Sequence, residues 1–252
     1  MVRDTILVFR RQLRTSLRSP AWAVIGMIQP IVYLAFFGPL MRNLAKAPGF
    51  PANSNSWQVF VPGILIQLGL FGTSFAGFGI IADWRGGVIE RMRVTPVSRT
   101  ALLLGRVLRD VVVLMVQAAV LILTSLAFGL RAPVVGVLVG LLFTGALALS
   151  LSAFSYAVGL RVKREESFAP MVNVFVIPSM LLAGMLLPMS VAPRWLNIVS
   201  RLTPFRYIVD ATRDAFLGQF ETYEFLWGVL VAAGLCVLTV YAGIRVFLTE
   251  NA

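Results

Sequence analysis

The sequence has no histidine, a single cysteine and only two lysines. Without histidine the chain lacks the commonest general base and the commonest metal ligand. With Cys236 alone, no disulfide can form within one chain, and a Cys/His zinc site lacks its set of ligands; Cys236 reads as a small apolar packing residue. Neither Lys46 nor Lys163 follows a glycine, so the GxxxxGK phosphate loop is absent. Charge is scarce throughout, at 13% of residues against about 25% in soluble domains. No carboxylate falls in the middle of an apolar run, where proton-coupled carriers place their relays. Nor is there a selectivity-filter motif. These absences exclude nucleotide hydrolysis by this chain alone and argue against a proton-driven carrier.

What is present is apolar sequence. Hydrophobic residues make up 58% of the chain and mean hydropathy is +0.86. A membrane span needs about 20 mostly apolar residues. Six stretches qualify: Ala21–Leu40, Val59–Ala82, Val111–Leu130, Pro133–Leu160, Phe168–Pro188 and Phe225–Ile244. The expected fold class is therefore all-α integral membrane, with six transmembrane helices in a single domain over residues 1–252. The first stretch is not expected to be a cleaved signal peptide, because a basic arm precedes it and no small-residue cleavage site closes it.

A net charge of +11 invites a nucleic-acid partner, but the cations sit at the ends of the apolar stretches. That is the pattern of cytoplasmic retention of Lys and Arg. A minority of the 22 cations, namely Arg42, Lys46, Arg131, Arg194, Arg201, Arg206 and Arg213, falls on one side. The rest fall on the side of both termini, which are expected in the cytoplasm.

Three segments depart from plain spans. Residues 1–19 read as an interfacial helix, with Ile6, Phe9, Leu13 and Leu17 on one face and Arg10, Arg11, Arg14 and Arg18 on another. Such a helix lies in the headgroup region and pairs with membrane lipids. Residues 83–100 form a basic segment, part of the longer non-apolar stretch Asp83–Arg109. Gly86-Gly87 ends the second span, a short helix around Val88–Val94 follows, and Pro96 breaks again. Residues 189–218 read as an outer re-entrant helical hairpin between spans 5 and 6. Pro193 and Pro204 sit where helices begin, with Thr203 as an N-cap. Trp195 is the interfacial anchor. Arg206–Asp210 and Asp210–Arg213 fall at spacings where opposite charges meet on a helix. Gly136 and Gly140 form a small-residue packing pair, and Pro170, Pro178 and Pro188 suggest a kinked or broken fifth span.

The order of these parts resembles the permease subunit of ABC-2 type exporters, also called type V ABC exporters. The residues that carry the resemblance are Arg93-Val-Thr-Pro-Val-Ser-Arg99 and the run from Pro193-Arg-Trp-Leu through Thr203-Pro204-Phe-Arg-Tyr to Arg213. It covers essentially the whole chain. Leu104-Gly105-Arg106-Val107-Leu108 is most similar to the daunorubicin-resistance drug-exporter branch. The resemblance implies two permease copies, expected as a homodimer, above a pair of ABC ATPase subunits that bind ATP and Mg. This chain then carries no cofactor and is not itself an enzyme. Val88, Ile89, Glu90, Arg91, Met92 and Arg93 would enter the ATPase as a coupling helix. Pro193, Trp195, Pro204, Arg206, Tyr207, Asp210 and Arg213 would belong to an outer gate. Phe36, Phe37, Phe71, Phe75 and Phe78 are candidates to line the path of a hydrophobic drug or lipid-like cargo. A polyprenyl-linked glycan exporter shares the same frame. A non-transporting membrane scaffold is the alternative from another class.

Overall fold

A computed structural model describes residues 2–18, 21–44, 55–88, 98–186 and 188–249, and within these the backbone is helical apart from short connections. Helix α1 spans Val2–Arg18 and α2 spans Ala21–Leu44. Helices α3 (Ser56–Ser74) and α4 (Gly77–Arg85) form one interrupted rod. Helices α5 (Arg99–Ala127), α6 (Val134–Val162) and α7 (Glu165–Leu182) follow. A single 3-10 turn at Met189–Val191 leads into α8 (Arg194–Ser200), α9 (Pro204–Leu217) and α10 (Tyr223–Thr249).

Among the described residues four helices are long and apolar enough to cross a membrane: Ser56–Arg85, Thr100–Ala127, Val134–Val162 and Tyr223–Thr249. A shorter apolar stretch, Val24–Phe36, lies in α2. The helix expected over Phe168–Pro188 instead runs over 18 residues, opens with Glu165 and Glu166, and passes through Pro170 and Pro178. It stops at Leu182, six residues short of Pro188.

The rods alternate in direction between two ends, named here by their acidic residues. At the Asp210 end, the Gly38 backbone abuts Trp57 and the start of α6 abuts α9. At the Asp83 end, Arg85 of α4 pairs with Glu165 of α7. Three apolar clusters fill the space between, around Leu65 and Leu121, around Leu70 and Phe205, and around Ile81 and Leu103. Helix α6 contributes to all three and is the central element.

Close approach explains the small residues. A Cβ at Gly136 would lie 2.0 Å from the Ala215 carbonyl oxygen, and one at Gly140 would lie 2.5 Å from the Phe216 ring. The expected packing pair thus receives α9, whose Phe205, Ile208, Val209, Thr212 and Phe216 are all buried.

Helix α1 presents three faces. Val8, 8% exposed, packs at Gly105 of α5, where a Cβ would come within 2.7 Å of it. Its arginines occupy a second face. The apolar stripe of Val2, Ile6 and Leu17 remains exposed on a third. Val8 is thus the buried contact of the helix; of the four apolar residues singled out by periodicity, Ile6 and Leu17 stay exposed while Phe9 and Leu13 are half-buried.

Candidate functional site

Two helices, α8 and α9, occupy the residues expected to form the outer hairpin. Pro193 precedes α8 at its N-cap position, and Pro204 opens α9 after Thr203. Trp195, Ile198 and Leu202 on α8 and its following turn are 66%, 59% and 85% exposed, so this stripe faces out of the protomer. The stripe on α9 faces in.

Polar side chains tie the hairpin together. Arg206 Nη1 donates to the carbonyl and side-chain oxygens of Asn197, both at 2.8 Å, and to the Ser200 hydroxyl. Tyr207 donates to the Arg201 carbonyl at 3.0 Å. Asp210 meets Arg206 at 3.4 Å and Arg213 at 3.3 Å, so both pairs expected from spacing exist. Arg213 reaches furthest. Its Nε donates to the Val59 carbonyl of α3 at 3.0 Å, and its Nη2 donates to Gly184 at 2.6 Å and Met185 at 3.2 Å. The chain just past α7 can come this close because residue 63 is glycine: a Cβ there would sit 1.7 Å from the Met185 carbonyl oxygen. Burial pulls the Arg213 guanidinium below its ordinary value, while the Asp210 carboxylate works against that shift. Burial likewise raises the Asp214 carboxyl, opposed by the hydroxyl hydrogen bond from Thr222.

The second span is broken where Phe75 and Ala76 separate α3 from α4. Phe78 N–H bonds to the Phe75 carbonyl and Ala76 N–H bonds to Thr73, each three residues back. The Ser74 carbonyl and the Gly77 amide thereby lose their partners within the helix. Ser155 of α6 supplies both. Its hydroxyl donates to the Ser74 carbonyl at 2.6 Å and accepts from Gly77 N–H at 2.8 Å. Irregular backbone at membrane depth requires such cover.

Of the five phenylalanines expected along a path, three come together at this break. Phe71 and Phe75 lie 6.4 Å apart, and Phe75 and Phe78 stack at 6.1 Å. Phe168 of α7 meets Phe78 edge-on at 5.0 Å. Phe36 on α2 is 75% exposed and stands outside this row. The side chain of Phe37 lies outside the described residues.

At the Asp83 end, spacing alone missed a buried polar cluster. Residues 99–109 are not part of a loop but form the first turns of α5. Arg106, only 4% exposed, meets Asp83 at the end of α4 at 2.6 Å. Arg109 meets the neighbouring Asp110 at 2.8 Å, and Tyr156 of α6 donates to Asp110 at 2.6 Å. The available signal was the i,i+4 pair Arg106 and Asp110 just before an unbroken apolar run. The Arg85–Glu165 pair is half-exposed and of the kind worth under about 1 kcal/mol. Helix α4 ends at Gly86-Gly87 as expected, Gly87 having a φ of 64°. Of the coupling residues, only Val88 is described; Ile89, Glu90, Arg91, Met92 and Arg93 lie outside the described residues.

Relatives place this architecture. The chain is 26% identical over 228 residues to a putative transport permease, ycf38, of Cyanophora paradoxa, covering 89% of this chain and 77% of the relative. It is 22% identical to the daunorubicin resistance ABC transporter permease protein DrrB1 of Streptomyces coeruleorubidus, covering 90% and 79%. It is 23% identical to the probable multidrug ABC transporter permease YbhR of Escherichia coli K12, covering 75% and 52%. The family model described as ABC-2 type transporter matches residues 3–217. With its apolar helices, this multi-pass membrane protein belongs to the ABC-2 type transporter family.

Proposed function

We propose that the chain is the permease subunit of an ATP-driven exporter that carries a hydrophobic drug or lipid-like molecule across a bacterial inner membrane. Helices α2, α3–α4, α5, α6, α7 and α10 are the six spans, both termini are cytoplasmic, and α1 lies at the membrane surface. Two copies pair, and two ATPase subunits bind ATP and Mg below them. Val88–Arg93 is the contact that transmits their motion. The α8–α9 hairpin enters the outer leaflet and gates the exit.

One observation carries this reading. A buried arginine paired with a partly exposed aspartate marks each end of the bundle, Arg106 with Asp83 at one and Arg213 with Asp210 at the other. Between them no Asp, Glu, Lys or Arg interrupts the apolar sequence, and the interrupted second span carries its row of phenylalanines there. A charge-free interior suits an amphipathic solute better than an ion, and it leaves the driving energy to a partner.

The test is reconstitution with the ATPase subunit in inside-out vesicles, following ATP-dependent uptake of fluorescent daunorubicin. Uptake that needs both subunits supports the reading. Glu90→Arg with Arg91→Glu should abolish uptake while the protein stays folded. Full uptake in that double variant would reject the coupling role. A disulfide between the hairpins of two copies through Leu202→Cys should stop transport, and unchanged transport would make the hairpin a fixed lid.

A further inference from the structure

Beside the break between α3 and α4, a cleft of about 200 Å³ opens between α6 and α7. Ser74 and Ser155 at the break, with Leu151 of α6, form its buried base, at 6%, 2% and 3% exposure. Phe154, Met171 and Phe175 form a rim exposed by 41%, 49% and 45%. Phe154 and Phe175 tilt towards each other at 6.2 Å, and Phe175 is braced edge-on by Phe205 at 6.0 Å. None of these residues belongs to the phenylalanine row.

We infer that this cleft binds the uncharged aromatic part of a small molecule dissolved in the membrane, which offers a hydrogen-bond acceptor to Ser74. The size fits a ring system and not a whole drug: an apolar cavity of about 150 Å³ accepts benzene, while drug-sized pockets run to about 300 Å³ or more. The rim chemistry favours rings over an acyl chain. Two phenylalanines offer edge and face contacts, and the Met171 thioether adapts to varied aromatic surfaces. The hydroxyls supply the second argument. That of Ser155 is committed to the backbone on both sides of the break. That of Ser74 is buried without a hydrogen-bond partner, a state that folded proteins seldom leave unexplained. A carbonyl or ether oxygen on the occupant satisfies it, and a lipid tail does not. As a cargo subsite the cleft rests on the exporter reading; as a binding site it does not.

Benzophenone has two rings and one carbonyl, and under light it attaches to neighbouring C–H groups. The full chain in lipid nanodiscs is photolabelled with it, and adducts are mapped by mass spectrometry. Saturable labelling centred on Leu151 and Met171 is expected. Diphenylmethane, which keeps the rings and lacks the carbonyl, should compete about fivefold more weakly than unlabelled benzophenone, the worth of one hydrogen bond. Ser74→Ala should erase that preference. Leu151→Trp should remove the labelling by filling the base. Met171→Trp, at the half-exposed rim where folding is not at stake, should do the same. Non-saturable adducts spread over exposed residues of α2 and α10 would overturn the site, since that is simple partition into lipid. So would undiminished labelling in Met171→Trp. A disulfide forming in high yield between Phe175→Cys of two copies would also overturn it, because a second copy would then occupy the cleft. Because the readout is binding, a failed cleft and a failed transport reaction are told apart.

Discussion

Arg213 Nη2 lies 2.6 Å from the carbonyl oxygen of Gly184, joining helix α9 to the chain just past α7 across 29 residues of sequence. The same guanidinium holds Val59 of α3 and Asp210 of its own helix. Three elements thus depend on one cation.

Removal of that cation should be severe. Arg213→Ala leaves Asp210 and three carbonyls short of a donor, and breaking a buried pair of this kind costs about 3–5 kcal/mol. Thermal unfolding in detergent should show a large drop in Tm, with Arg213→Lys intermediate because an ammonium cannot reproduce the fork. An unchanged Tm for Arg213→Ala would show the contacts to be energetically idle.

Asp210 and Glu221 provide a paired comparison. Asp210 is mostly buried between two arginines, while Glu221 is exposed. Asp210→Ala should therefore reduce export much more than Glu221→Ala, with Asp210→Asn in between. Initial rates of vesicle uptake at matched protein levels give the comparison, and equal losses would contradict it.

The Asp83–Arg106 pair makes a distinct prediction. Arg106→Ala leaves the partly exposed Asp83 carboxylate without its partner at the end of α4 and should lower the unfolding midpoint. Asp83→Asn with Arg106→Gln removes both charges together and should cost less than the sum of the two single changes. A double-mutant cycle on unfolding midpoints measures this, and strict additivity would show that the pair does not interact.

Docking of α1 can be tested at Gly105. A Cβ there would press on Val8 at 2.7 Å, and overpacking of this kind costs about 1–3 kcal/mol. Gly105→Leu should lever the helix off, so that trypsin cuts after Arg10, Arg11 or Arg14 faster than in the parent protein. Equal digestion would show that α1 is held elsewhere.

Topology has a direct readout. In a Cys236→Ala background, Arg164→Cys and Gln219→Cys place exposed thiols at opposite ends of the bundle. A membrane-impermeant maleimide should label only the second in intact cells. Labelling of both from outside would refute cytoplasmic placement of the Asp83 end.

Much of this was legible because it is local. Apolar runs marked most of the rods, Thr203-Pro204 marked the start of α9, Gly86-Gly87 marked the end of α4, and i,i+3 and i,i+4 spacing paired Asp210 with its arginines. Relationships between helices were not. Nothing adjacent to Asp83 names Arg106 as its partner, and nothing near Gly77 names Ser155. Arg106 and Arg109 resembled the cations of a solvated loop because their burial depends on neighbouring helices packing around them. Periodicity marks an apolar stripe on α1, but the buried contact is Val8 beside that stripe, and Gly105 on α5 is what receives it.

Ser155 also bears on how the protein is made. It follows Gly77 by 78 residues, so the ribosome completes the broken second rod well before its repair arrives. During that interval the Gly77 amide and the Ser74 carbonyl have no partner in hydrocarbon, a state that costs several kcal/mol per group. The nascent rod must therefore wait beside water, the insertion machinery or another helix until α6 enters. Assembly of these two elements is then a joint event, timed by a hydroxyl group two spans downstream.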